Sequence, residues 1–401
     1  MKISVEEARE FLIRHQFLSG DKKLSGAGGI MEFIKKAGCV QYDPLSVVAR
    51  NADLVLFSRI ADYRPETLEK LLYADRLLID GWDKMMSIYP REDWPYFKRV
   101  RERRGRETAG TLAYRNSSEA LSHAESVLET IRRNGPTRPN QIKLGSAESG
   151  SWGHRNLSSA AMDYLLTIGK LGVHNKINVA KVYDVIENLL PEEIVNSPDP
   201  FETDRDFYKW YFLRRIGSVG MLWEKHGGGW LAAFLDDREL RGEILSELTA
   251  EGSVTKIEVE GIPESFYIRS EDTRQLGETG KKTPEKMRFI APLDNLIWDR
   301  EMTRRIFGFK YSWEVYLPAR KREFGYYVIP VFSGGGFVAR FEPEKSKTHI
   351  KIKNWWWEPG VKVTDGLIDL AMKEFARMAA CFGKPGGVHE STRGIVNKKS
   401  V

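Results

Sequence analysis

The chain has 401 residues, 41% of them hydrophobic, which is apolar material for about two to three domains, and no apolar run is long enough to span a bilayer. Two cysteines, Cys39 and Cys381, exclude a cysteine-built zinc site and a disulfide framework, and the charged amphipathic N-terminus is not a signal peptide, so a soluble, cytoplasmic protein is expected. The net charge of +6 permits nucleic-acid binding without requiring it.

The first element is a helix over 4–17, with Val5, Ala8, Phe11, Leu12 and His15 on one face and Ser4 and Glu7 placed as a capping box. Ile30, Phe33, Ile34 and Ala37 mark a second helix, Gly38 ends it, and an apolar strand containing Gln41 follows. Helices are expected over 52–60 and 65–74, the latter opening on Pro65, then strands over 77–89. A basic helix covers 93–106, and Leu121, Ala124, Val127, Leu128 and Ile131 give another that Asn134-Gly135-Pro136 stops. A helix over 158–171, led by Gly153-His154-Arg155-Asn156, and a hairpin over 171–182 complete a winged-helix pattern.

The Pro-bearing stretch 196–200 is the clearest boundary. Helices over 207–216, 223–235 and 239–248 and an alternating strand over 254–260 repeat the plan without visible sequence identity. From 288 onward strands are expected over 313–317, 326–331, 337–341 and 349–356, with a turn at 333–336, an amphipathic helix over 364–381 and a mobile tail. The expected fold class is α+β: tandem winged helix-turn-helix units at 1–115, 116–196 and 201–287, a β-rich region at 288–383 and the tail at 384–401.

The chemistry centres on 38–51, where Gln41 and Asp43 stand two apart. On an extended segment both project to one face, so an amide and a carboxylate can hold a water between them. The plainer reading, a strand edge with Asp43-Pro44 opening a turn, is favoured on these residues alone. Three ordered blocks carry more. Gln41-Tyr42-Asp43 with 53–59 is the first; Ser151-Trp152-Gly153 with Val182-Tyr183-Asp184 and Leu190-Pro191 the second; 291–300, continuing through 305–309 to 325–330, the third. Together they resemble the AlkZ-like DNA glycosylases, specifically the YcaQ-type branch, whose signature is Gln-x-Gln or Gln-x-Asp.

The resemblance implies a monofunctional glycosylase that excises N7-alkylated purines and unhooks interstrand crosslinks in double-stranded DNA, acting as a monomer without cofactor or metal. It implies Asp43 for water activation and cation stabilisation, Gln41 for water positioning, and limited base flipping. The alternative is a non-catalytic winged-helix regulator or architectural protein. One departure stands out: where many members carry Trp-x-His, this chain has Trp82-Asp83-Lys84, and a Schiff-base role for Lys84 is disfavoured.

The expected DNA contacts are Arg50, Arg59, Lys98, Arg99, Arg101, Arg103, Arg104, His154, Arg155, Lys321 and Arg322, drawn chiefly from a run of six cations against one acid at 98–106 and a second basic cluster at 320–322 with Lys345, Lys347, Lys351 and Lys353. A solvated helix face is the competing reading of such runs. Trp355-Trp356-Trp357 either stacks on opened bases or, as alternation favours, buries one face as core. Asp294-Asn295 and Trp298-Asp299-Arg300 are read as structural rather than DNA contacts. The glycine clusters at 26–29 and 227–229 lack the Lys-Ser/Thr of a phosphate loop and are expected as turns.

Overall fold

A computed structural model of the protein describes residues 1–20, 23–145, 156–276 and 286–397. Contacts divide the chain into two units: Met1–Leu68 with Tyr208–Val401, and Glu69–Phe207. Residues 1–115, expected as one unit, are therefore shared between the two.

In the first unit, Ser4 Oγ accepts from the Glu7 N–H at 3.1 Å and the Glu7 carboxylate accepts from Ser4 N at 2.8 Å. This reciprocal cap starts the helix Val5–His15 where expected. The helix Gly26–Ala37 buries Ile30, Phe33, Ile34 and Ala37 and stops at Gly38, whose φ of 73° is the left-handed conformation that suits glycine. The glycines at 26, 28 and 29 form its first turn, a correction to the loop turn expected there, and Gly29 lies directly against Leu24.

A four-stranded sheet ties the chain's beginning to its middle. Lys2–Ile3 runs parallel to Val254–Val259, which pairs antiparallel with Ser265–Arg269, itself paired with Leu222–Trp223. The helix expected over 223–235 is not formed. Gly228–Trp230 is a short 3-10 turn, because these glycines approach the backbone and side chain of Trp298 and Asp299 closely: a β-carbon on Gly228 would sit 2.2 Å from the Trp298 carbonyl oxygen. Trp223 Nε1 donates to Asp299 and Trp230 Nε1 to the Trp223 carbonyl, closing the same corner.

The second sheet of this unit is antiparallel, in the order Arg288–Phe289, Ile329–Ser333, Gly336–Glu344, Lys351–Trp357. Ser333 faces Gly336 across a two-residue turn in which Gly334 and Gly335 both have positive φ, the backbone that matches strand twist. Trp355 and Trp357 are buried and Trp356 is half-buried, as alternation predicts; Trp355 stacks on Phe341 and packs edge-on against Phe375 of the helix Asp365–Cys381. The strand expected over 313–317 is instead a 3-10 turn, Glu314–Tyr316, since the Glu314 carboxylate accepts the backbone N–H groups of Glu323, Phe324 and Gly325 and folds the segment back on itself. The expected mobile tail is also corrected through Asn397. Ser391–Val396 is a helix docked by the Trp357 Nε1 bond to the Val396 carbonyl, with Val396 fully buried.

The second unit opens with the hairpin Leu78–Trp82/Met86–Pro90 and the helix Lys98–Tyr114. Helices Ala124–Asn134 and Leu157–Thr167 and the hairpin Leu171–Ile177/Ala180–Val185 follow, in the element order expected of a winged helix. Val127, Leu128, Ile131, Leu165, Leu171 and Tyr183 share one apolar cluster, and Thr137 bridges to Tyr183 as a third partner for the hairpin. Burial of each such aliphatic side chain contributes about 1.5–3 kcal/mol.

Candidate active site

The strand that carries Gln41 is short, Val40–Gln41, and is held from its carbonyls. Asn51 Nδ2 donates to the Gln41 carbonyl at 2.9 Å, and Asn295 Nδ2 donates to the Cys39 carbonyl at 3.0 Å. Both asparagines are buried, and Asn51 Oδ1 accepts from Leu293 N at 3.0 Å. The 291–295 segment is thus the frame beneath the Gln41 backbone. Next to it, Arg59 donates to both Asp294 oxygens at 2.7 and 2.8 Å, with neither side chain exposed, and its guanidinium lies 4.6 Å from the centre of the Phe33 ring.

Gln41 is 8% exposed, and its Oε1 is buried with no hydrogen-bond partner among the described residues. A buried carbonyl oxygen left unpaired costs about 1–3 kcal/mol, which makes it an acceptor waiting for an O–H or N–H donor. Asp43 is half-buried. Its Oδ1 accepts the Leu45 N–H at 2.8 Å, its one hydrogen bond among the described residues, and its other oxygen is left for a water or a ligand. The strand ends at Gln41, so strand pairing does not set the direction of Asp43. A turn in which the Asp43 carboxylate holds the backbone two residues on places it instead.

Burial raises the Asp43 carboxyl above its usual value of 3.8, and the Leu45 N–H opposes this. The result is a carboxylate more basic than a solvated one. Tyr327, 2% exposed, is within electrostatic reach. Burial first, then Tyr311, Asp43 and Asp53, push its phenol well up, so it stays a neutral O–H. Nothing in the residue pattern singled out Tyr327 or Asn51, although both lie in or beside the quoted blocks and a polar residue inside an otherwise apolar block was the available signal; Asn295 was read with Asp294 as structural, and its amide does hold the Cys39 carbonyl.

The expected nucleic-acid contacts divide on inspection. Arg59 is corrected: it is sealed against Asp294 and unable to reach a phosphate. Arg50 is engaged by Asp53, which also accepts the Tyr63 hydroxyl at 2.7 Å. In the basic run, Arg99 forks onto Asp199 and Asp204 and donates to the Phe201 carbonyl. Arg101 donates to the Trp94 carbonyl and lies 3.9 Å from the centre of the Trp94 ring. These two are therefore internal staples of the second unit, a correction whose reason is helical: on Lys98–Tyr114, Val100 and Gly105 face inward and carry their neighbours partly with them. Arg104 covers the Trp82 ring at 4.4 Å, and Arg103 pairs with Glu107 on the same helix.

Lys98 and Lys321 are exposed, and Arg322 donates to the Leu317 carbonyl while covering Tyr326. Lys351 and Lys353 pair with Glu344 and Glu342. His154 and Arg155, like the Ser151-Trp152-Gly153 block, lie outside the described residues. Asp83 and Lys84 are both buried at the bend of their hairpin.

A family model described as DNA glycosylase AlkZ-like matches residues 34–383. The fold is similar to that of the DNA glycosylase AlkZ of Streptomyces sahachiroi, with a TM-score of 0.65 over 97% of this chain and 100% of that one, at 15% sequence identity.

Proposed function

We propose, for a chain that belongs to the AlkZ-like DNA glycosylase family and is thus a DNA glycosylase, that its substrates are N7-alkylated purines and interstrand crosslinks through them, and that Gln41 and Asp43 perform the hydrolysis. Two observations support the assignment: the Gln41 Oε1 is buried with no hydrogen-bond partner among the described residues, and the Asp43 carboxylate two residues on is half-buried with one oxygen engaged by the Leu45 N–H.

Alkylation at N7 places positive charge on the purine, so the base departs neutral and needs no strong acid to protonate it. What remains is an oxocarbenium-like sugar and a water that must reach its anomeric carbon. The Gln41 oxygen accepts one hydrogen of that water and fixes its orientation. The free Asp43 oxygen accepts the other as the C1′–O bond forms, the C1′–N9 bond breaks, and its electron pair leaves with the purine. Before the proton moves, the ionised carboxylate also stabilises the sugar cation. The products are the free alkylated base and an abasic site, with no covalent enzyme intermediate.

The test is incubation of the full chain with alkylated duplex, followed by hydroxide cleavage at abasic sites. Strand breaks dependent on the protein are expected; retarded mobility without breaks would leave a binder and remove the hydrolytic reading. A pH profile tests the base. Because burial raises the Asp43 carboxyl, single-turnover excision is expected to be full above that raised value and to fall tenfold per unit as pH drops through it, with a midpoint above 3.8. An excision rate that stays flat down through 3.8 removes Asp43 as the base.

A further inference from the structure

Elsewhere in the first unit, a pocket of about 330 Å³ opens beside the C-terminal end of the helix Asn51–Phe57. Its lining includes six cations, Lys23, Arg59, Lys286, Arg288, Lys373 and Arg377, against a single carboxylate, Glu374. Arg59 is neutralised by Asp294 and Arg377 by Glu374. Lys23, Lys286, Arg288 and Lys373 have no carboxylate within ion-pair distance among the described residues.

Part of this charge has a structural use. Arg59, Arg377 and Arg288 donate to the carbonyls of Val55, Phe57 and Ser58, which complement the negative end of the helix. That use does not extend to the three lysines, which are exposed around the mouth, nor to the rest of the Arg288 fork, for which the Ser58 carbonyl is the one acceptor among the described residues. Burial, opposed by Glu374 and reinforced by the charges of Arg59 and Arg377, lowers Arg288 to about 10, so like charges crowd the floor of the pocket. A guanidinium fork beneath several ammoniums matches a tetrahedral anion with several acceptor oxygens better than it matches a planar carboxylate.

We propose that this pocket is a phosphate-binding site, in which a phosphoryl group lies on Arg288 and is enclosed by Lys23, Lys286 and Lys373. The phosphoryl group belongs either to a DNA backbone or to a small phosphorylated molecule. The seven-residue helix Asn51–Phe57 favours the first source: one end grips the Gln41 carbonyl and the other abuts the pocket, about 10 Å apart, a length of duplex axis over which one strand carries about three phosphates. Only this choice of source rests on the proposed function.

Thermal unfolding of the full chain in inorganic phosphate and in chloride at equal ionic strength tests the site. Phosphate is expected to raise Tm by about 2 °C or more beyond chloride, and the excess to vanish in the double variant Lys286→Ala/Lys373→Ala, whose exposed positions leave folding intact. Arg288→Gln is a second variant with the same expected loss. Equal shifts in the two salts, or an excess that survives the double variant, overturns the site. Duplex binding across salt then identifies the source: a log–log slope shallower by about 2 in the double variant marks the DNA backbone, and an unchanged slope marks a small phosphorylated ligand. The thermal arm uses no damaged base, so its failure leaves the glycosylase reading intact.

Discussion

Asp43→Asn is expected to lower single-turnover excision of N7-methylguanine by about 10²–10⁴-fold while leaving folding and duplex affinity near the wild-type level. The substitution is nearly isosteric, and an asparagine Oδ1 still accepts the Leu45 N–H that positions the side chain. What it removes is the negative charge and the basic oxygen. Binding and chemistry therefore separate cleanly in this variant, which a change of size at the same place would not allow. Gln41→Ala is expected to lose less, because it removes an orienting acceptor and keeps the base. A rate within a few-fold of wild type for Asp43→Asn would refute the mechanism, whatever the substrate proves to be.

The second large effect concerns stability. Asp294→Ala leaves the Arg59 guanidinium charged, with neither side chain of the pair exposed beforehand, and is expected to cost about 3–5 kcal/mol in urea unfolding. Because Asp294 adjoins Asn295, whose amide holds the Cys39 carbonyl, excision is expected to fall with it. Removing both charges by Arg59→Met/Asp294→Leu is expected to recover much of the stability, since two desolvated charges are replaced by apolar volume. The Arg59 bonds to the Gln16 and Val55 carbonyls are not replaced, so recovery falls short of complete. A loss below about 1 kcal/mol for Asp294→Ala would show that the 291–295 segment is no frame for the Gln41 strand.

The two results address different levels of one arrangement. Asp43 is local: its conformation is set by a hydrogen bond spanning two residues. The strand before it is held by a partner more than two hundred positions away, and the geometry of the proposed site depends on both.

How far each feature could be read in advance follows the same division. The Ser4–Glu7 cap and the stop at Gly38 were legible, because each is decided within one helical turn, by a side chain bonding its neighbouring backbone in the first case and by a positive φ in the second. Burial of Trp355 and Trp357 with Trp356 turned outward followed from the period of a strand. The glycine triplet at 227–229 does lie at a turn, as expected, but the helix expected around it over 223–235 fails, because the triplet answers to the near approach of Trp298 and Asp299, which no local pattern encodes. The arginines at 99 and 101 looked like a free basic face until Asp199, Asp204 and the Trp94 carbonyl took them up.

The sequence by itself determined several helix ends and which strand faces are apolar, and it pointed to Gln41 and Asp43 only through the family's motif. Only the tertiary structure decided which charges are available: Arg59, 235 positions from Asp294, is spent on the interior, while Arg288, with no carboxylate within ion-pair distance among the described residues, lines an open basic pocket. The physical reason is that charge is a property of the residue, whereas its neutralisation and desolvation depend on partners that the chain brings together only when it folds.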